Sequence, residues 1–78
     1  MKYDDKTKLL FALSQRIKEL RYERGLSQED CLNDTGILFS RIELGTRNIS
    51  FTTLHKICKY FGITLKEFFN DQFEELEG

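Results

Sequence analysis

Apolar residues recur along this chain at three- and four-residue steps, the spacing of helices that pack one side against a core. The first such stretch predicts a helix from Asp5 to Arg24, closed by Gly25 because glycine suits the left-handed conformation at a helix C-terminus. Its apolar stripe consists of Leu10, Leu13, Ile17 and Leu20.

Two short helices are predicted in the middle of the chain. Ser27 begins a second helix, Gln28 to about Asn33, and Asp30 stands where it completes a capping box. A third helix, capped by Asp34 or Thr35, is predicted to run to Leu44 and stop at Gly45.

Two more helices complete the pattern. The fourth is predicted from Phe51 to Phe61 and the last from Leu65 to about Phe73. Ser50 and Thr64 cap them, and the apolar face of the fourth consists of Leu54, Ile57, Cys58 and Phe61. With no strand pattern, the sequence predicts an all-α, compact five-helix domain.

Length and composition favour one small domain over residues 1–78, with an N-terminal extension of helix 1 at 1–12 and an acidic tail at 74–78. The chain has no apolar run of the roughly 20 residues that span a bilayer. Its N-terminus does not resemble a secretory signal, so we expect a cytoplasmic protein. A domain this short buries only about 60% of its extended-chain surface, which makes a dimer plausible.

Charge is unevenly distributed. Residues 1–62 carry a balance of +3 and residues 63–78 a balance of −4, although the net charge is −1. We therefore expect any surface for a polyanion to belong to the first four helices.

The cysteines and the single histidine do not suggest chemistry. Cys31 and Cys58 have neither metal-site nor disulfide spacing and are predicted to be buried free thiols. His55 faces away from the apolar side of the fourth helix and is predicted to be a surface residue. Because no nucleophile–base pair or carboxylate dyad stands out, we expect no enzymatic activity, no cofactor and no metal.

The chain resembles a known family over about 57 residues, from 13 to 69. The matching motifs are R-I-K-E-L-R at 16–21, G-L-S-Q-E at 25–29, S-R-I-E at 40–43, G-T-R-N-I-S at 45–50 and T-L-H-K-I-C-K-Y-F-G-I-T-L-K-E-F-F at 53–69. In this order they resemble the lambda-repressor-like, Xre-type helix-turn-helix family, and most closely the small dimeric controllers of restriction–modification operons. The resemblance implies that the third helix enters the DNA major groove.

Residues suited to phosphates flank that helix. Gln28 opens the second helix, whose free N–H groups and positive dipole end favour an anion. Thr46, Arg47 and Asn48 follow the third helix and can all donate hydrogen bonds, although such a turn can also satisfy its own backbone. By resemblance Arg16 also contacts the DNA backbone; a solvated arginine is the alternative.

The resemblance also sets the register of the third helix, with Phe39 and Ile42 in the core. The groove-facing positions are then Thr35, Gly36, Ile37, Leu38, Ser40 and Arg41. Arg41 can reach a guanine edge or a phosphate, and Ser40 can contact either; a salt bridge from Arg41 to Asp34 is the alternative.

The sequence departs from the family at the start of this helix. Gln28 and Gly45 are 17 residues apart, three fewer than in typical members, and apolar residues stand where polar ones are usual. One of Ile37 and Leu38 is expected to fill the core. The other is expected to be exposed, where it touches a thymine methyl or marks a protein contact.

The last helix has more phenylalanines than it can bury alone. Phe68, Phe69 and Phe73 are expected to contribute to an interface; an entirely intramolecular core is the alternative. The resemblance implies that the last two helices form a two-fold dimer, which places two recognition helices about 34–36 Å apart. Leu9, Leu10 and Phe11 offer a second candidate surface.

These features together predict a sequence-specific regulator of transcription that binds double-stranded operator DNA as a homodimer. The alternative is a protein-interaction or antitoxin-like module on a helix-turn-helix scaffold with weakened base readout.

Overall fold

The computed structural model describes residues 4–77, without the side chains of residues 75 and 77. Residues 1–3 of the expected N-terminal extension and Gly78 of the acidic tail lie outside the described residues. The first helix, α1, spans Asp5–Glu23, and Asp4 caps it by accepting a 2.7 Å hydrogen bond from the backbone N–H of Thr7. Of its predicted stripe, Leu10, Ile17 and Leu20 are buried and Leu13 is half-buried.

The second helix, α2, spans Gln28–Thr35 and is two residues longer than predicted. Ser27 and Asp30 form the expected capping box. At the other end, Gly36 ends the helix with a φ of 77°, a left-handed conformation that glycine adopts without strain.

The third helix, α3, spans only Phe39–Ile42, so the prediction that Asp34 or Thr35 caps it is wrong. The Thr35 hydroxyl donates back to the Cys31 carbonyl at 2.6 Å and accepts from the Ile37 N–H at 3.0 Å. These bonds fix Thr35 at the end of α2 and place the following residues in a non-helical turn. The register within α3 is as expected, because Phe39 and Ile42 are both buried.

The fourth helix, α4, spans Phe51–Phe61 with Ser50 as its cap, as predicted. Its whole predicted apolar face is buried, namely Leu54, Ile57, Cys58 and Phe61. Both cysteines are free and buried, and burial raises the pKa of each thiol.

The C-terminal segment is not the continuous helix predicted from 65 to 73. It consists of α5 (Leu65–Phe68), a 3₁₀ turn (Asp71–Phe73) and α6 (Glu74–Glu77). The backbone leaves the helical conformation at Phe69, whose ψ is 83°, and Asn70 begins the next turn by accepting a 3.1 Å hydrogen bond from the Gln72 N–H.

The described residues form an all-α fold around one core to which each of α1–α5 and the 3₁₀ turn contribute. Polar side chains tie the helices together at the edges of this core. Arg24 donates to the Phe61 carbonyl at 2.8 Å, and Tyr60 donates to Asp34 at 2.6 Å. These bonds hold the C-terminal end of α4 against the end of α1 and against α2.

Candidate nucleic-acid interface

A buried ion pair anchors the end of α3 to α1. The Arg21 guanidinium donates from Nε and Nη2 to the two carboxylate oxygens of Glu43, each at 2.8 Å, and the side chains are only 7% and 4% exposed. Hydrogen bonding to Glu43 raises the pKa of Arg21 above its ordinary value, although burial opposes this. The pair fixes the residue that follows α3.

The same carboxylate orients Gln28. Its Nε2 donates to Oε1 of Glu43 at 3.1 Å, so the first side chain of α2 is tied to the residue after α3. The capping box satisfies the N–H groups of Ser27 and Asp30. Hydrogen bonds from the Ser27 backbone N–H, and secondarily from its side chain, lower the pKa of the Asp30 carboxyl. The first turn of α2 therefore keeps a fixed position relative to α3.

Two arginines from different elements meet on one shallow groove. Arg41 of α3 and Arg47 of the following turn are both exposed and line it together. Within the part of the chain that the structure describes, neither makes an ion pair or a side-chain hydrogen bond. The alternative of an Arg41–Asp34 salt bridge is not formed, and Asp34 accepts a hydrogen bond from Tyr60.

A second shallow groove lies on the other side of Leu38, and this residue lines both grooves. Gln28 and Ser40 lie in this second groove, together with Glu29. We call the surface made by the two grooves the polar face; its polar residues are Gln28, Glu29, Asn33, Ser40, Arg41, Arg47, Asn48, Ser50 and Thr53. Six residues predicted to bind DNA thus lie around Leu38, namely Gln28, Ile37, Ser40, Arg41, Arg47 and Asn48.

Two other predicted contacts are used inside the molecule. Arg16 donates from Nε to the Phe68 carbonyl at 2.8 Å and from Nη2 to the Glu67 carbonyl at 2.9 Å, so it joins α1 to α5. The structure therefore gives Arg16 a role in the fold in place of the expected solvated or DNA-facing position. The Thr35 hydroxyl is likewise occupied by its own backbone bonds.

Gly36 and Thr46 line neither groove of the polar face, whereas Ile37 lines the groove of the two arginines. Gly36 is exposed, and Ile37 is half-buried against the core. Thr46 is exposed but lines a neighbouring surface with Phe11 and Leu44. Of the two apolar candidates, Leu38 is therefore the exposed one, at 42%.

The sequence did not single out Thr53 as part of the polar face or Lys56 as a link between α4 and the end of α2. Both lie on α4; Thr53 lines the groove of the two arginines, and Lys56 donates to the Thr35 carbonyl at 2.8 Å. Thr53 and Lys56 are three residues apart and adjoin the buried Leu54 and Ile57, so they lie on the side of α4 next to its apolar face. This spacing is the sequence feature from which their shared side could have been predicted.

A separate apolar groove adjoins the polar face. Phe68 and Phe73 are buried in the chain's own core, so of the three predicted interface residues only Phe69 is substantially exposed, at 44%. The apolar groove is lined by Leu9, Leu10, Leu13, Ile49, Phe51, Leu54, Phe69 and Phe73. Asn48 and Ser50 line both this groove and the polar face, so the two surfaces share an edge.

The described residues hold neither a metal cluster nor a membrane-spanning helix. Among residues 4–77, no group of three or more His, Cys, Asp or Glu is arranged to hold a metal ion. None of the described helices combines the length and the apolar character needed to cross a bilayer. His55 is exposed, as predicted.

Comparisons with known proteins agree with this geometry. Residues 14–72 match the family described as helix-turn-helix domain. The chain is 33% identical over 61 residues to the cryptic phage CTXphi transcriptional repressor RstR of Vibrio cholerae, covering 74% of this chain and 55% of the repressor. It is 42% identical over 60 residues to the control protein C.MunI of a Mycoplasma species, covering 72% of this chain and 81% of that protein. The chain thus spans about half the length of the phage repressor. No solved structure shows a significant match.

Proposed function

Because the chain belongs to the Xre-type helix-turn-helix family of DNA-binding transcription regulators, we propose that it controls transcription by binding operator DNA as a homodimer. The polar face would contact the duplex, and the apolar groove would join two copies. Occupancy of the operator would then block or recruit polymerase, without an enzymatic step.

The observation that carries this proposal is the pair of exposed arginines on one groove. Arg41 and Arg47 come from different elements, yet they line the same surface without internal ion pairs among the described residues. Arginines placed this way suit phosphates and guanine edges, which accept two parallel hydrogen bonds from one guanidinium.

The two sides of the polar face suggest different contacts. On one side of the DNA groove, Gln28 at the start of α2, oriented by Glu43, would contact the phosphate backbone of the duplex. On the other side, Arg47 and Asn48 after α3 would contact it. Ser40 and Arg41 on α3 would then face base edges. Since α3 has only four residues, we expect few direct base contacts and a larger share of specificity from DNA shape.

The homodimer is supported by the position of the apolar groove. Leu9, Phe51 and Phe69 are 49%, 66% and 44% exposed, an unusual concentration of apolar surface on one side of a small domain. Because this groove shares an edge with the polar face, a two-fold pairing there would set two polar faces side by side. Two half-sites about one DNA turn apart, 34–36 Å, would follow.

Selection from a random duplex pool tests DNA binding without knowledge of the operator. We expect enrichment of a two-fold symmetric site, and fluorescence anisotropy on the enriched duplex should show an affinity that falls steeply with salt. A pool that shows no enrichment, with weak binding that is independent of salt, would favour the protein-interaction alternative.

A matched pair of aromatic substitutions tests the dimer. Phe51→Ser removes a ring from the apolar groove, whereas Tyr22→Ser removes an equally exposed ring (63%) that lies outside it. In analytical ultracentrifugation, Phe51→Ser should shift the protein to monomer and Tyr22→Ser should not. If both variants had the same oligomeric state, the apolar groove would not be the dimer interface.

A further inference from the structure

We propose that Leu38 contacts the C5-methyl group of one thymine in each half-site and thereby contributes to sequence specificity. The inference rests on the proposed DNA binding. It gives Leu38, an apolar residue that the fold leaves partly exposed, a role in recognising one base.

The backbone holds Leu38 in a defined position. Its neighbours Ile37 and Phe39 pack into the core, and Phe39 is fully buried. The Leu38 carbonyl accepts from the N–H groups of Arg41 at 3.1 Å and Ile42 at 3.4 Å, in the first turn of α3. The side chain is thus presented from a fixed main chain, although 42% of the residue remains exposed.

Leu38 is the exposed apolar residue of the polar face, because the other apolar residues that line the two grooves are half-buried or buried, namely Leu32, Ile37, Phe39, Ile42 and Ile49. Leu38 lies between Gln28 and Ser40 on one side and Arg41 and Arg47 on the other. If the polar face meets DNA, Leu38 lies at the centre of the contact, and its partner must be apolar to be favourable.

A thymine methyl meets that requirement. In the major groove, the other exposed edges of the four bases are hydrogen-bond donors and acceptors, and thymine alone adds a methyl group. The flanking donors of Ser40 and Arg41 can be satisfied by acceptors on the same base or its neighbours. A protein partner is less suited to this position, because protein interfaces usually centre on larger exposed apolar patches than a single exposed leucine flanked by charged and polar side chains.

Replacing thymine by deoxyuridine removes the methyl group and leaves every hydrogen-bonding group in place. Each thymine of the duplex selected by the wild-type protein is replaced singly, and binding is measured by fluorescence anisotropy. We expect one position per half-site at which the wild type binds about fourfold more weakly, because one methyl group is no longer buried against the leucine.

Two variants assign that effect to a residue. With Leu38→Ala, thymine and deoxyuridine at this position should bind equally well. With Leu44→Ala, which removes an equally apolar and more exposed side chain (73%) outside both grooves, the wild-type preference should persist. Thermal unfolding should show that both variants keep the wild-type fold, since both side chains are exposed.

Several outcomes would overturn the inference. A selected half-site without thymine, no thymine sensitive to deoxyuridine, or an undiminished preference in Leu38→Ala would each refute the methyl contact while leaving DNA binding intact. The last result would fit a Leu38 that serves a protein partner. Failure of the wild type to enrich any duplex would instead refute the proposed function, and the inference with it.

Discussion

Arg21 on α1 and Arg47 on the turn after α3 have the same side chain in opposite surroundings. Arg21 is 6% exposed and shares two 2.8 Å hydrogen bonds with Glu43. Arg47 is exposed and has no charged partner among the described residues. The same contrast separates Arg16 and Arg24, which donate to main-chain carbonyls, from Arg41, which does not.

The contrast shows how a chain with a net charge of −1 can still present cations to a polyanion. The arginines on α1 and at its end form ion pairs with carboxylates and donate hydrogen bonds to main-chain carbonyls, and so stabilise the fold. Arginines on α3 and its turn remain available at the surface. Local placement, and not overall charge, therefore determines which surface suits DNA.

The largest expected effect comes from breaking the Arg21–Glu43 pair. Arg21→Met should lower the free energy of unfolding by about 3–5 kcal/mol, because it leaves the carboxylate of Glu43 buried without its partner. Urea denaturation followed by circular dichroism measures this loss. The double variant Arg21→Met/Glu43→Leu should be more stable than the single one, and a single variant as stable as wild type would contradict the role assigned to the pair.

Arg41 should affect recognition without affecting the fold. Arg41→Ala removes an exposed side chain with no internal bond among the described residues, so the unfolding midpoint should stay unchanged. On DNA, the variant should lose about 1–3 kcal/mol of discrimination at one base position per half-site. Repeating the pool selection with this variant measures the loss; an unaltered preference at all positions would show that Arg41 does not read a base.

Features set by neighbouring residues could be read from the sequence. The stripe on α1, the limits of α4 and the caps at Ser27, Ser50 and Thr64 all depend on periodicity or on hydrogen bonds that reach three residues. The start of α3 could not be read in this way, because Thr35 can cap a following helix or bond back within α2, and both patterns look alike in sequence.

The partners of the arginines could not be read either. Arg16 binds carbonyls 51 and 52 positions away, and this contact depends on how α5 docks on α1. Which of Ile37 and Leu38 packs against the core and which is exposed also depends on the tertiary structure, since either side chain can fill a space of similar size. The sequence thus indicated Arg41 and Arg47 on the polar face, but not that Arg16 is engaged inside the fold.

Arg47 and Arg24 form a matched pair that separates binding from stability. Arg47→Ala should weaken binding to all duplexes about tenfold and reduce the salt slope by about 0.9 for each phosphate that is no longer neutralised, with the fold intact. Arg24→Ala should instead cost about 1.5 kcal/mol of stability, because the Phe61 and Leu20 carbonyls lose a charged donor. Anisotropy over a salt series and urea denaturation measure the two effects. If each variant lost both DNA affinity and stability, the distinction between arginines that bind DNA and arginines that stabilise the fold would be wrong.

Replacing Glu29 should have the smallest effect of these substitutions, and it is the one expected to increase DNA affinity. It is an exposed acid on the polar face, beside Gln28 and Ser40, where a phosphate would meet its negative charge. Glu29→Gln should therefore tighten DNA binding about twofold at low salt, and the gain should shrink as salt screens the repulsion. Glu74→Gln removes the same charge outside both grooves and should leave affinity unchanged. Equal gains from the two substitutions would mean that overall charge, and not the polar face, controls binding.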